Sequence, residues 1–256
     1  MTSSPQTPAD VNGKAHVLLA DLANVSLPDD HHHHLGRVLR LRSGDCITAT
    51  DGRGSWRSAA LGTGWPIRAE LEWTSEISLA PRRNKLVSVG FALTKGDKPE
   101  TVVQKLAELG IDRIVLFAAE HSVVRWEPEK ASRNIARLQT IAAEALQQSR
   151  QAWLSEVSGL VTLSDLSSRG VDEFGPASRA DRGGAPLLGA ETRFVLIGPE
   201  GGWSPAERDR FPEPVGIAPA VLRAETAAIV AGALLVARAE ESPGENGDIA
   251  KAETTT

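Results

Sequence analysis

The sequence predicts an α/β protein on a parallel sheet, preceded by a smaller all-β module. Three observations carry this. From residue 86 to 241, apolar runs alternate with amphipathic helical stretches, the pattern that lays helices over a parallel sheet. From residue 15 to 80, short β segments and turn signals dominate. The chain's 256 residues, 41% hydrophobic and 24% charged, have a globular composition and suit one large core or two smaller ones.

The elements follow in order. Residues 1–14 and 242–256 are small, polar and rich in Pro or Gly, and are expected to be disordered. Ala15–Ala20 and Cys46–Thr50 are apolar runs, the second followed by the turn signal Asp51-Gly52-Arg53-Gly54. Ile67, Ala69, Leu71 and Trp73 alternate with polar residues, as in a half-buried strand. A helical turn or two fits Asp30–Arg40, with Leu35, Val38 and Leu39 on one face. Leu86–Leu93 and Arg113–Ala118 read as strands buried on both faces. Between them, Lys98–Leu109 is a helix with Pro99 in its first turn and Gly110 at its end. Ala131–Gln148 is amphipathic, with Ile135, Leu138, Ile141, Ala142 and Ala145 inward. Thr162–Ala190 has no assignable pattern. Arg193–Ile197 is a strand, Ser204-Pro205-Ala206-Glu207 is a capping box that opens a helix, and Glu225–Glu241 is the final helix.

Charge and composition exclude several classes. No run approaches the roughly 18 apolar residues of a membrane span, and the N-terminal stretch has no apolar signal region, so a cytoplasmic protein is expected. A lone Cys46 excludes an internal disulfide framework and a Cys-based zinc site. Four successive histidines, His31–His34, cannot all face one ion from a helix, and no metal is expected. The net charge is −5, yet residues 31–57 carry five arginines against Asp45 and Asp51. A polyanion partner is therefore permitted, since phosphate affinity follows the local patch.

The most informative segment is Phe194–Ser204, where a buried strand enters a Gly/Pro loop and then a capped helix. In open α/β sheets, ligands bind beyond the carboxyl ends of strands, where this loop sits. Gly198, Gly201 and Gly202 let main-chain groups approach a ligand, and Glu200 adds a carboxylate. The loop is neither GxGxxG nor a Walker loop, so an uncharged or cationic ligand suits it better than a phosphate. Arg223 and Glu225 stand at the mouth of the apolar final helix, either as a solvated helix start or as a pocket pair. Gln148 and Arg150 end a helix, where a cation complements the dipole.

Several motifs in the same order resemble the RsmE family, bacterial uridine-N3 methyltransferases of 16S ribosomal RNA. In the N-terminal part they are His33-His34-Leu35 with Arg37-Val38-Leu39-Arg40-Leu41, Gly44-Asp45 and Asp51-Gly52-Arg53-Gly54. Further on come Lys105–Gly110, Glu144-Ala145 with Gln148-Ser149-Arg150, Ile197-Gly198-Pro199-Glu200-Gly201-Gly202, and Leu222-Arg223-Ala224-Glu225-Thr226-Ala227. The last two carry most of the specificity. The resemblance implies a PUA-like RNA-binding β-barrel over residues 15–80 and a SPOUT methyltransferase domain with a trefoil knot over residues 81–241. It implies a homodimer using S-adenosylmethionine on 16S ribosomal RNA or an assembled small subunit. Small Ala227, Ala228, Ala231, Gly232 and Ala233 would allow close helix contact between copies.

By the same resemblance, Leu196, Ile197, Gly198, Pro199, Gly201, Gly202, Ile217 and Leu222 line the cofactor site. Arg223 stabilises a developing uracilate, and Glu200 or Glu225 orients the base or takes its proton. Arg37, Arg40, Arg42, Lys95, Lys98 and Arg125 are expected to contact RNA. The chain departs from the family pattern at Ile217-Ala218-Pro219-Ala220, where a Gly and an Arg are replaced, and at His121, where the family has Arg. A rival reading is a ribosome-associated RNA-binding protein without turnover; a nucleotide-dependent oxidoreductase is disfavoured by the missing GxGxxG.

Overall fold

The computed structural model describes residues 6–167, 175 and 177–241; residues 1–5 and the acidic tail 242–256 lie outside them. Two sheets organise the chain. The first holds β1 (Ala15–Leu18), β2 (Cys46–Thr50), β3 (Ser55–Leu61), β4 (Leu71–Trp73) and β5 (Ser78–Leu79). Their order is β1-β2-β3-β4, with β5 also paired to β3. β1 runs parallel to β2, and β2 and β3 form an antiparallel hairpin with Thr50 opposite Trp56. Gly52 and Gly54 turn this hairpin at φ of +73° and +96°, where a Cβ would be strained. Asp51 Oδ1 accepts from the backbone N–H of Arg53 and Ser55 at 2.7 and 3.1 Å, closing the turn.

Three local expectations change here. Residues 6–14 are not disordered: Pro8–Asp10 form a 3-10 turn with Pro8 buried, and Arg150 Nη1 donates to Val11 O at 3.2 Å. Of the alternating apolar set, Ile67 is 92% exposed, because Arg68 N–H closes a turn on Gly64 O before the strand starts at Leu71. After α1 (Asp29–His33), His34–Val38 form a π turn, which buries Leu35 but leaves Val38 and Leu39 exposed. The wider turn rotates those two off the expected face. Two histidines of the run make structural contacts, His31 Nε2 2.9 Å from Leu18 O and His32 Nε2 2.7 Å from Pro66 O, while His33 and His34 are exposed.

The second sheet has β6 (Ser88–Ala92), β7 (Arg113–Ala118), β8 (Glu156–Thr162), β9 (Ala177–Pro186), β10 (Phe194–Ile197) and β11 (Pro214–Gly216). Its order is β11-β9-β10-β6-β7-β8, and every pairing is parallel. β6 and β10 are buried along their whole length. One face packs Val89, Phe91, Leu106, Leu138 and Ala228; the other packs Val115, Phe117, Phe194, Leu196 and Trp203. α2 (Lys98–Glu108) and α3 (Pro128–Ser149) cover the first of these faces, together with α5 (Ala224–Glu241); α4 is the short helix Pro205–Arg210. Of the small residues of α5 expected to allow contact between copies, Ala227, Ala228, Ala231 and Gly232 are buried in the chain's own core, while Ala233 is exposed. Ala228 and Ala231 are fully buried, and a Cβ at Gly232 would come within 2.5 Å of Leu106 on α2.

β9 occupies part of the stretch left unassigned by sequence; residues 168–174 and 176 of that stretch lie outside the described residues. It is a polar strand, with Ser178 and Arg179 buried. Arg179 donates to the carbonyls of Arg208 and Phe211, so the buried guanidinium replaces its lost water.

Several contacts join the two modules, among them one polar and one apolar anchor. His16 Nδ1 lies 2.8 Å from Thr48 Oγ1, and Nε2 lies 2.9 Å from Gln151 O. A carbonyl only accepts, so Nε2 carries the proton and Nδ1 accepts from the hydroxyl. Trp56, Ala80 and Ala152 form a small apolar cluster flanked by Trp153, and the Trp153 indole fills the space where a Cβ of Gly54 would stand.

Candidate functional site

The carboxyl ends of β6, β7, β10 and β11 meet at one edge of the second sheet, as the parallel pairing requires. Leu196 and Ile197 end β10 fully buried, and the loop 198–203 leads into α4. Ser204 caps that helix. Its hydroxyl accepts from Glu207 N–H at 3.3 Å, and Glu207 Oε2 accepts from Ser204 N–H at 2.9 Å, the reciprocal box read from sequence. Glu207 Oε1 also accepts from Glu120 N–H at 2.8 Å, which ties the loop after β7 to this helix.

The loop itself is shaped by Trp203. This side chain stacks on Phe117 at 5.9 Å between centroids and donates from Nε1 to Ala180 O at 3.0 Å. A Cβ at Gly198 would stand 2.7 Å from its ring, so only glycine lets the strand end pass. At Gly202 (φ +75°), nothing lies within 4 Å of a Cβ position; His121 Nδ1 sits 3.1 Å from Gly202 O. Pro199 is buried, whereas Glu200 and Gly201 are exposed.

Lys98, at the start of α2, reaches across the sheet edge. Its ammonium donates to Glu200 Oε1 at 2.9 Å and stands 3.5 Å from Glu225 Oε2, on the first turn of α5. The hydrogen bond from Lys98 holds the Glu200 carboxyl below the usual carboxylate range, with smaller pulls from the charges of Lys95 and Arg223. The same contact raises the Lys98 ammonium. Thus Lys95, Lys98, Glu200, Arg223 and Glu225 form one electrostatic group. Lys98, expected on an RNA surface, is the counter-ion of both expected catalytic carboxylates. Arg223 is exposed beside them, and Ile217 and Leu222 pack half-buried on the core behind. Arg37, Arg40 and Arg42 are exposed on the first module, and Arg125 is exposed in the loop after β7; none has a contact with this group.

Sequence reasoning did not find His121 as a brace of the glycine loop or Thr94 at the end of β6. Thr94 Oγ1 and Glu225 Oε2 are buried atoms without a hydrogen-bond partner. Glu225 Oε2 has the Lys98 charge 3.5 Å away, so Thr94 Oγ1 is the atom here that a bound polar ligand would satisfy. Half-buried Ile217 and Leu222, exposed Val221 and the uncovered main chain at Gly202 suit an uncharged organic part such as the adenosine of S-adenosylmethionine, and the carboxylates Glu200 and Glu225 suit its cationic sulfonium. Among the described residues, no group of three or more His, Cys, Asp or Glu could hold a metal, and no helix is long and apolar enough to cross a membrane.

A family model described as an RNA methyltransferase domain matches residues 81–236, and one described as an RNA methyltransferase PUA domain matches residues 27–62. Relatives named ribosomal RNA small subunit methyltransferase E include one from Bacillus subtilis, 29% identical over 80% of this chain and 87% of its own. Another, from Synechocystis, is 30% identical over 82% of this chain and 71% of its own. The crystal structure of a ribosomal RNA small subunit methyltransferase E from Neisseria gonorrhoeae bound to S-adenosyl methionine aligns at a TM-score of 0.72 and 26% identity, covering 86% of this chain and 95% of its own. Matched across its whole second sheet by one model and over both modules by such relatives, the chain belongs to the RsmE family of RNA methyltransferases.

Proposed function

We propose that the chain is an S-adenosylmethionine-dependent methyltransferase that methylates N3 of a uridine in 16S ribosomal RNA. The observation that carries this is the ion group at the sheet edge, where Lys98 gathers Glu200 and Glu225 beside Arg223 in a chain of this family. The proposal includes a PUA-like barrel at 15–80, a knotted SPOUT domain at 81–241, and a homodimer acting in the cytoplasm on RNA or the small subunit.

S-adenosylmethionine supplies a methyl group on a sulfonium, and the chain supplies position and charge. Main-chain groups of Ile197, Gly198, Ile217 and Leu222, lined by Leu196, Pro199, Gly201 and Gly202, hold the cofactor. Uracil N3–H is a weak acid, and N3 sits inside a base pair, so the base must be unpaired or flipped out to react. Arg223, exposed at the mouth, stabilises the negative charge that develops on the base. Glu200 is a poor proton acceptor, because Lys98 holds its carboxyl in the ionised, weakly basic form. Glu225 is the other candidate: the same ammonium stands farther from it, 3.5 Å against 2.9 Å, and its Oε2 is buried.

The test is mass mapping of 16S RNA from cells lacking the gene. One uridine methyl should disappear and return with the wild-type gene but not with Arg223→Ala. An unchanged methylation pattern, or no S-adenosylmethionine binding by calorimetry, would reject the reading; the second result alone would favour a binder without turnover.

A further inference from the structure

A groove of about 1140 Å³ lies at the opposite edge of the second sheet, between the two modules. Its lining includes Val87, Asp112 and Arg193, each immediately before β6, β7 or β10, so it faces away from the glycine loop. It is bounded by the linker Ala80–Lys85, the end of α3 and the end of α5. Among the described residues six cations line it, Arg82, Arg83, Lys85, Arg150, Arg193 and Arg238, against Asp112 and Glu191. This excess of positive charge stands in a chain whose net charge is −5.

Apart from Arg83, which is ion-paired with Asp112, the hydrogen bonds of these cations do not neutralise them. Arg150 and Arg238 donate to neutral carbonyls, those of Val11 and Gly13 and those of Leu187, Ala190 and Thr192. Arg83 Nη1 is 3.5 Å from Asp112 yet buried without a hydrogen-bond partner. Arg238 titrates below the usual guanidinium range because of burial and, next, the nearby charge of Arg193. Arg82 Cζ stands over the Trp153 ring, 4.4 Å from its centroid, which holds a guanidinium at the groove wall. The groove exceeds the roughly 300–1,000 Å³ of small-ligand pockets, as a stretch of polymer requires.

We propose that this inter-module groove binds the phosphate backbone of the RNA substrate, as a second contact surface remote from the methyl-transfer edge. The identity of the polyanion rests on the proposed RNA methyltransferase function; the anion site rests on the groove alone. Arginine and lysine that neutralise phosphates release counterions, so each contact steepens the fall of affinity with salt.

The test is a full-length chain carrying Arg82→Ala, Lys85→Ala and Arg193→Ala, titrated against a fluorescent 16S RNA fragment at several salt concentrations. Affinity should fall about tenfold or more, and the slope of log K against log salt should shrink by about 2–3 for three lost contacts. S-adenosylmethionine affinity should stay unchanged, and KM for RNA should rise while kcat at saturating RNA holds. A charge-keeping chain with Arg82→Lys, Lys85→Arg and Arg193→Lys should retain the wild-type slope. Unchanged affinity and slope in the alanine chain would overturn the proposal, as would an equal loss in the charge-keeping chain. A wild-type chain that binds RNA with the steep slope but transfers no methyl would instead fail the proposed function and leave the groove intact.

Discussion

Lys98 and Glu200, separated by 102 residues in sequence, are joined by a 2.9 Å hydrogen bond that ties the start of α2 to the glycine loop after β10. Removing the ammonium leaves Glu200 and Glu225 without their shared counter-ion. In Lys98→Ala the Glu200 carboxyl should titrate at higher pH than in the wild type, since the contact that lowers it is gone. Side-chain carbonyl NMR across the acid range reads this directly. Glu200 is well exposed, so losing its partner should hardly change global stability; any loss comes from Glu225, whose buried Oε2 is left without a counter-ion.

Arg223 is exposed beside this group, and its backbone carbonyl accepts from Ala227 N–H at 2.8 Å as α5 begins. Replacing its side chain leaves that main-chain bond in place. Arg223→Ala should therefore keep S-adenosylmethionine affinity while lowering kcat by about 10²–10³, the usual scale for one lost charge-stabilising donor. Stopped-time methylation assays beside calorimetry separate the two quantities. Loss of cofactor affinity in proportion to turnover would place Arg223 in the cofactor site instead.

Gly198→Ala puts a methyl group 2.7 Å from the Trp203 ring, which is held by Phe117 and by Ala180 O. The indole cannot retreat without losing both partners. A destabilisation of about 1–3 kcal/mol is expected, as for other overpacked cores. Cofactor affinity should fall with it, because the loop that Trp203 shapes is displaced. Denaturant unfolding and calorimetry on the same preparation check both.

His16 should make the chain acid-sensitive in a defined window. Burial, the largest influence, lowers its pKa from 6.5 to about 4. Above pH 6.5 both folded and unfolded forms hold it neutral. As pH falls from 6.5 to about 4, the unfolded chain gains a proton that the folded chain refuses, so stability drops. The full loss is about 3 kcal/mol, and it levels off below the folded value. His16→Gln should lose that much less stability between pH 7 and pH 4, measured by urea unfolding at each pH.

Local signals were the legible ones. The Ser204–Glu207 box, Pro99 at the start of α2 and Gly110 (φ +74°) at its end each lie within a few residues of the structure they set. The apolar strands β6, β7 and β10 were readable because a strand buried on both faces needs no partner to identify it. β9 was not, since its burial of Ser178 and Arg179 depends on carbonyls at 208 and 211, which only the folded chain brings near. The site divided in the same way. Its glycine loop is a contiguous motif, and both carboxylates were named. Their pairing with Lys98 spans over a hundred residues, and a lysine at a helix start looks like any solvated cation until that fold exists.

The Trp153 indole pressed against the Gly54 turn has a consequence for engineering. Severing the chain near residue 80 would lay bare Trp56 on one fragment and Ala152 and Trp153 on the other, so separately expressed halves should come out as insoluble material. Chimeras that swap front modules between relatives would need a glycine at the hairpin tip and an aromatic ring after α3 from the same parent. Any bulkier residue at the tip would jam the graft.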